Sequence, residues 1–246
     1  MKAFAALYAA LDATTSTNAK LGALRDYFAA AGADDAAWAV YFLAGGKPRQ
    51  VVPTRVLRAL AVRTAGIPEW LFEESYQAVG DLAETIAQLL PNPGAGSDLP
   101  LARWIEDRLL PLRKLVEPEL EQRLLAAWDE LDAPGRFVWN KLITGGFRVG
   151  VSKLLVTRAL AEVAGLDASV IAERLMGDWQ PAAERYLALI AADDGGHRVA
   201  RPFPFFLAHA LDQPVASLGP IEDWHAEWKW DGIRAQLVRR AGQTFL

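Results

Sequence analysis

The chain has 246 residues, 52% of them hydrophobic and 23% charged, which is enough apolar content for one large core or two modest ones. It has no cysteine, so disulfides and thiolate metal sites are excluded, and its net charge of −4 gives no overall basic footprint for nucleic acid. No apolar run reaches the roughly 18 residues that a membrane-spanning helix needs.

In chain order, the first segment combines a single lysine with periodic leucines and aromatics. It reads as an amphipathic helix rather than a signal peptide. Residues 1–190 read as helical throughout, rich in Ala and Leu, with Arg and Glu at helical spacing as in Glu119 to Leu125. Breaks are expected at Gly45-Gly46, Pro91 to Gly94, Pro134-Gly135 and Gly145-Gly146, and helix starts at Thr54, Ser152 and Asp167.

An internal repeat shows when positions about one hundred apart are compared. Phe42 to Gly46 aligns with Leu142 to Gly146, Val51 with Val151, and Arg58-Ala59-Leu60-Ala61 with Arg158-Ala159-Leu160-Ala161. Gly66-Ile67 and Gly165-Leu166 close the two units. The period is too long for a solenoid and fits a duplicated helical half-domain with two similar glycine loops. The tryptophans at 38, 70, 104, 128, 139 and 179 are expected to be core or helix-packing residues.

Asp193 to Gly196 reads as a linker, and the character changes after it. Phe203-Pro204-Phe205-Phe206 is an apolar cluster. From Trp224 the residues alternate: Trp224, Ala226, Trp228 and Trp230 fall on one side of an expected strand, and His225, Glu227, Lys229 and Asp231 on the other. Ile233 to Val238 alternates again, and Ala241-Gly242-Gln243 predicts a hairpin turn. His197, His209 and His225 lack metal-ligand spacing, and no protein metal site is expected. Gly45-Gly46-Lys47 lacks the spacing of a Walker-type phosphate loop.

Two segments carry chemistry. Lys229, Asp231, Gly232 and Arg234 spell Lys-x-Asp-Gly-x-Arg, preceded by Glu227. On a strand, Glu227, Lys229 and Asp231 would share a face and line one pocket with the tryptophans behind. The second segment runs from Lys141 to Lys153. Its Gly145, Gly146 and Gly150 let backbone come close to a phosphate, and the helix start that follows presents free N–H groups. Thr144 and Ser152 can donate hydrogen bonds, and Lys141, Arg148, Lys153 and Arg158 add local positive charge. The first repeat offers Gly45, Gly46, Lys47, Arg49 and Arg55 as a second grip.

The Lys-x-Asp-Gly-x-Arg segment resembles the nucleotide-attachment motif of the ATP-dependent DNA ligases, a superfamily shared with RNA ligases and mRNA capping enzymes. The Lys141–Lys153 segment resembles the glycine-rich, Arg-x-Gly-containing stretch of the ligase DNA-binding domain. The resemblance implies a mainly α protein, with a helical DNA-binding domain with an internal pseudo-repeat over 1–195 and a β-rich start of a nucleotidyltransferase domain over 203–246. It makes Lys229 the adenylated nucleophile and Glu227 the partner of the adenine amino group. Arg234 falls near the ribose and the nick end, Asp231 is the motif's acidic residue, and Gly232 has a backbone role. It implies ATP and Mg2+ as cofactors and nicked duplex DNA as the partner; with no cysteine and no long apolar run, a cytoplasmic monomer without membrane association is expected. Later nucleotidyltransferase motifs are expected past Leu246, so that the 246 residues alone would bind duplex weakly without sealing a nick. Two other readings share part of the pattern: a non-catalytic helical DNA-binding module, and an RNA ligase or capping-type nucleotidyltransferase.

Overall fold

The computed structural model describes residues 1–46, 51–147, 149–176, 179–192, 210–228, 232, 235–240 and 242–246. Among these residues the chain is mainly α, with twelve α-helices and one two-stranded hairpin. Helix α1 (Lys2–Asp12) is the amphipathic first helix expected, burying Phe4, Leu7, Tyr8 and Leu11 at helical spacing. It is followed by α2 (Thr17–Ala30), α3 (Ala33–Leu43), α4 (Thr54–Ala65), α5 (Glu69–Val79) and α6 (Leu82–Leu89). A short α7 (Leu101–Arg103) runs on into a π-helical stretch, Trp104–Leu109, and a 3₁₀ turn, Leu110–Lys114. Then come α8 (Glu119–Glu130), α9 (Ala133–Thr144), α10 (Lys153–Ala164), α11 (Ala168–Arg174) and α12 (Ala183–Ile190).

Side chains fix many of the helix starts. Ser16, Asp81, Asp132, Ser152 and Asp167 each accept a first-turn N–H as N-caps. Ser152 and Asp167 are therefore the starts the sequence marks, while Thr54 is the first helical residue behind Pro53. The break expected at Pro134-Gly135 is not one. Both residues lie in the first turn of α9, where a missing proline N–H costs nothing.

The duplication is visible in the elements. Helices α8 to α12 follow α2 to α6 in the same order, each starting about one hundred residues after its counterpart. Gly66 and Gly165, both left-handed, end α4 and α10. The packing is reciprocal: α3 lies on α12, and α9, the counterpart of α3, lies on α6, the counterpart of α12. One apolar core runs through both halves, centred on fully buried Trp104, Trp128 and Trp139. Trp38 is also buried and Trp179 is half-buried, but Trp70 is 66% exposed, against expectation. Helix α5 turns Phe72 and Tyr76, one turn apart, inward, which leaves Trp70 off that face.

Arg136 is a buried bracket. Its guanidinium donates to the carbonyls of Trp128, Pro91 and Asn92 at 2.5, 3.0 and 2.8 Å, and burial lowers its pKa from the usual value. It ties the Pro91–Gly94 loop to α8 and α9.

The linker expected at 193–196 and the Phe203 cluster lie outside the described residues. Past them, Val215–Leu218 and Ile221–Asp223 are 3₁₀ turns. β1 (Val238–Arg240) and β2 (Gln243–Phe245) pair antiparallel with Arg240 opposite Gln243, the hairpin expected, and Gly242 has φ 77°. The strand expected from Trp224 is not formed over 224–228. No strand among the described residues pairs with that stretch, and Trp224 and Trp228 are 55% and 84% exposed rather than packed behind it. No helix among the described residues is long and apolar enough to cross a membrane.

Candidate nucleic-acid interface

The two glycine turns follow α3 and α9, and the fold places their bases side by side. Phe42 in the last turn of α3 and Phe147 just past Gly145-Gly146 have ring centroids 5.6 Å apart. Phe147 also stacks on Phe4 at 5.5 Å with 9° between planes, and meets Tyr8 edge-on at 5.1 Å. Aromatic contacts of this kind exceed simple area burial by about 0.5–1.5 kcal/mol. They pin the second turn to α1, and they are contacts that no motif in the sequence signals.

The same dipeptide ends the two helices differently. In the first turn Gly45 has φ 100°, its N–H donates to Phe42 O at 3.2 Å, and the Gly46 N–H donates to Tyr41 O at 2.8 Å. These are the paired bonds of a Schellman stop, so the backbone closes on itself. In the second turn Gly145 is left-handed at φ 71° and still lies in a hydrogen-bonded turn at the end of α9, but no return bond as short as Gly46 N–H to Tyr41 O forms there among the described residues. The Thr144 hydroxyl takes the carbonyls instead, donating to Asn140 O at 2.9 Å and Lys141 O at 3.3 Å. The N–H groups of Gly150 and Val151 find no acceptor among the described residues. The start of α10 adds the free N–H groups of a helix N-terminus.

The expected site residues separate accordingly. Gly146, Gly150, Ser152 and Lys153 are exposed, and Thr144 and Gly145 are half-buried. Ser152 spends its hydroxyl on the cap, accepting from Leu155 N at 3.2 Å, and Lys153 donates to Leu175 O at 3.0 Å. Lys141 is 7% exposed and ion-pairs with Asp81, the cap of α6, so its charge is compensated inside the protein. Arg158 is exposed, and no carboxylate pairs with it among the described residues. In the first unit Arg58 pairs with Glu73 and lies within 6 Å of the Phe72 and Tyr76 rings, at 5.7 and 5.5 Å. Gly45 is exposed and Gly46 half-buried. Lys47, Arg49 and Arg148 lie outside the described residues.

A cleft of about 230 Å³ opens between α2 and α10, lined by Thr15, Thr17, Lys20, Gly150, Ser152 and Arg158 among others. The residues from the α2 side were missed by sequence reasoning because they lie some 130 positions from the loop they meet.

These features find a counterpart in a known family. The family model of the DNA ligase N terminus matches residues 1–161, a span that contains both glycine turns. The chain belongs to the DNA ligase N-terminus family. Membership supports a DNA ligase-type function with DNA as the class of partner. No curated protein gives a significant match.

The nucleotide-binding candidates stand apart. Glu227 is exposed in irregular chain, and Gly232 is exposed in a bend. Lys229, Asp231 and Arg234 lie outside the described residues. No group of three or more His, Cys, Asp or Glu side chains that could hold a metal ion occurs among the described residues.

Proposed function

We propose that residues 1–195 form a DNA-binding domain that holds duplex DNA by its phosphates, and that residues 203–246 begin the nucleotidyltransferase domain of an ATP-dependent DNA ligase. The observation that carries the DNA half is the second glycine turn. It combines glycines that admit close approach with backbone N–H groups that have no acceptor among the described residues, on a turn pinned by Phe147, and it shares a cleft with Arg158 of α10, which pairs with no carboxylate among the described residues. All of these address the sugar–phosphate backbone rather than base edges, which suits an enzyme acting on any sequence. The contact residues are Thr144, Gly145, Gly146, Arg148, Gly150, Ser152 and Lys153, with Gly45, Gly46 and Lys47 as a secondary grip.

The nucleotidyl half rests on the Lys-x-Asp-Gly-x-Arg motif and on the family. Lys229, as the free amine, attacks the α-phosphorus of ATP; the bond to the β-phosphate oxygen breaks and pyrophosphate leaves, giving lysyl-AMP. The AMP passes to the 5′-phosphate of a nick, and the 3′-hydroxyl then displaces it. Glu227 binds the adenine amino group and Arg234 the ribose side. Asp231 is the motif's acidic residue. Family membership suggests ATP and magnesium use, but the described residues offer no ligand set for the metal.

Two measurements test the reading. Fluorescence anisotropy with a nicked duplex should give sequence-independent binding that weakens steeply with salt. No detectable binding at low salt would remove the DNA half. Incubation with labelled ATP in magnesium buffer should label Lys229 of the ligase, and Lys229→Ala should abolish the adduct. Labelling by GTP in preference to ATP would favour a capping-type enzyme.

A further inference from the structure

Among the described residues two lysines are buried, Lys20 and Lys141, and they are treated differently. Lys141, 7% exposed, has the Asp81 carboxylate. Lys20, 8% exposed on α2, has no carboxylate among the described residues; its ammonium donates only to the carbonyls of Val149 and Gly150, at 3.0 and 2.9 Å. A buried cation is ordinarily paired. Here neutral oxygens take two of its three hydrogens, and the charge remains uncancelled.

The surroundings share the deficit. Lys20 lines the cleft between α2 and α10 together with Arg158, likewise without a carboxylate partner among the described residues, and with the hydroxyl-bearing Thr15, Thr17 and Ser152. Gly150, at φ 63°, forms part of the wall, and a Cβ there would stand 2.8 Å from Lys20 Nζ. Drawing the Val149 and Gly150 carbonyls toward Lys20 leaves the N–H groups of Gly150 and Val151 without a protein acceptor among the described residues, at the start of the twelve-residue α10.

We propose that this cleft is a phosphate seat. Arg158, Thr15, Thr17 and the turn's N–H groups touch the anion, and Lys20 is the positioning residue that sets the turn in its binding form. The inference rests on the reading of the chain as a DNA-binding ligase domain, and it names the phosphate-holding elements of that surface. The same chemistry could be met by inorganic phosphate or by a DNA backbone phosphate, and the test separates the two.

Amide resonances of the isotopically labelled chain are followed during titration with sodium phosphate, with sodium chloride at matched ionic strength as the control, and duplex affinity is measured alongside. Gly150, Val151 and Lys153 should shift saturably with phosphate at millimolar concentration, and an unlabelled duplex should displace it. Lys20→Met should abolish the phosphate response and weaken duplex binding roughly tenfold with little change in Tm. Arg158→Ala should weaken both and lower the salt slope by about one unit. Should Lys20→Met not fold, Lys20→Gln keeps amide donors for the two carbonyls while removing the charge, and it should still bind phosphate more weakly than wild type. Wild-type phosphate response in a folded Lys20 variant would overturn the role of Lys20. Duplex binding by the wild type with no phosphate response in the cleft would overturn the seat and leave the DNA-binding reading standing. Absence of duplex binding altogether would instead overturn that reading.

Discussion

Gly45-Gly46 and Gly145-Gly146 occupy the same place in the two halves and each ends a helix, yet only the first is closed by short return bonds among the described residues. Gly46 returns its N–H to Tyr41 O at 2.8 Å, whereas no bond that short runs from Gly146 back to α9 among the described residues. One side chain differs at the ends of the two helices. Position 44 is alanine, which leaves the last carbonyls of α3 to the backbone, whereas position 144 is threonine, whose hydroxyl occupies the carbonyls of Asn140 and Lys141. A duplicated motif can therefore keep its fold role in one copy and release its N–H groups for a ligand in the other. Charge follows the same division: Arg58 is spent on Glu73, while Arg158 is left without a carboxylate among the described residues.

The largest effect expected is from Gly46→Ala. The new Cβ would stand 2.5 Å from Tyr41 O, and 2.7 Å from ring atoms of the same residue. The ring can swing away, but the carbonyl is held by the helix. The clash and the loss of the closing bond together should cost about 2–4 kcal/mol, a fall in Tm of roughly 5–15 °C by calorimetry. A Tm within about 2 °C of wild type would mean that the first turn is not a closed stop.

Next come Gly45→Ala and Gly145→Ala. Both glycines lie at positive φ, 100° and 71°, where a Cβ costs about 1 kcal/mol. Each variant should lose about that much in urea unfolding. Equal losses would show that the two turns share a conformational need even where their hydrogen bonding differs. An unaffected Gly145→Ala would show the second turn able to relax away from the left-handed region.

The arginine pair sharpens the contrast in charge. Arg158→Ala should lower the slope of log affinity against log salt by about one unit, because its charge is free to meet a phosphate. Arg58→Ala should leave the slope nearly unchanged, because Glu73 already compensates it. Equal reductions would make the two turns equal partners in holding DNA.

Much of this architecture was legible in the sequence. The period of Leu and Ala marked the helices, and the paired glycines in register marked the duplication. Ala241-Gly242-Gln243 marked the hairpin. What depends on tertiary neighbours was not legible. Trp70 looks like any core tryptophan until the face of α5 is set by Phe72 and Tyr76. Pro134-Gly135 reads as a break until Asp132 caps the helix around it. Lysines 20, 141 and 153 carry the same formal charge. Only the fold assigns one to carbonyls of a distant turn, one to Asp81 and one to the end of α11 at Leu175. The alternation from Trp224 is a strand pattern, but a strand needs a partner ladder, and none among the described residues meets 224–228.

The smallest effect on stability, and the most direct reading of function, is expected from Gly146→Ala. The added Cβ would meet only Thr144 Oγ1, at 3.6 Å, an ordinary van der Waals contact, and the residue is exposed without positive φ. Folding stability should therefore stay within about 0.5 kcal/mol of wild type. The counterpart substitution at Gly46 forces a clash, so the two positions distinguish a glycine kept for the fold from one the fold does not require. If a DNA phosphate comes against the backbone at Gly146, a methyl group there holds it off and weakens the N–H contacts nearby. Duplex affinity should then fall several-fold with Tm unchanged, measured by anisotropy and calorimetry on the same preparation. Unchanged affinity would place the closest DNA contact away from Gly146, toward Gly150 and the start of α10. The second turn would then be a spacer that positions that helix rather than a grip in its own right.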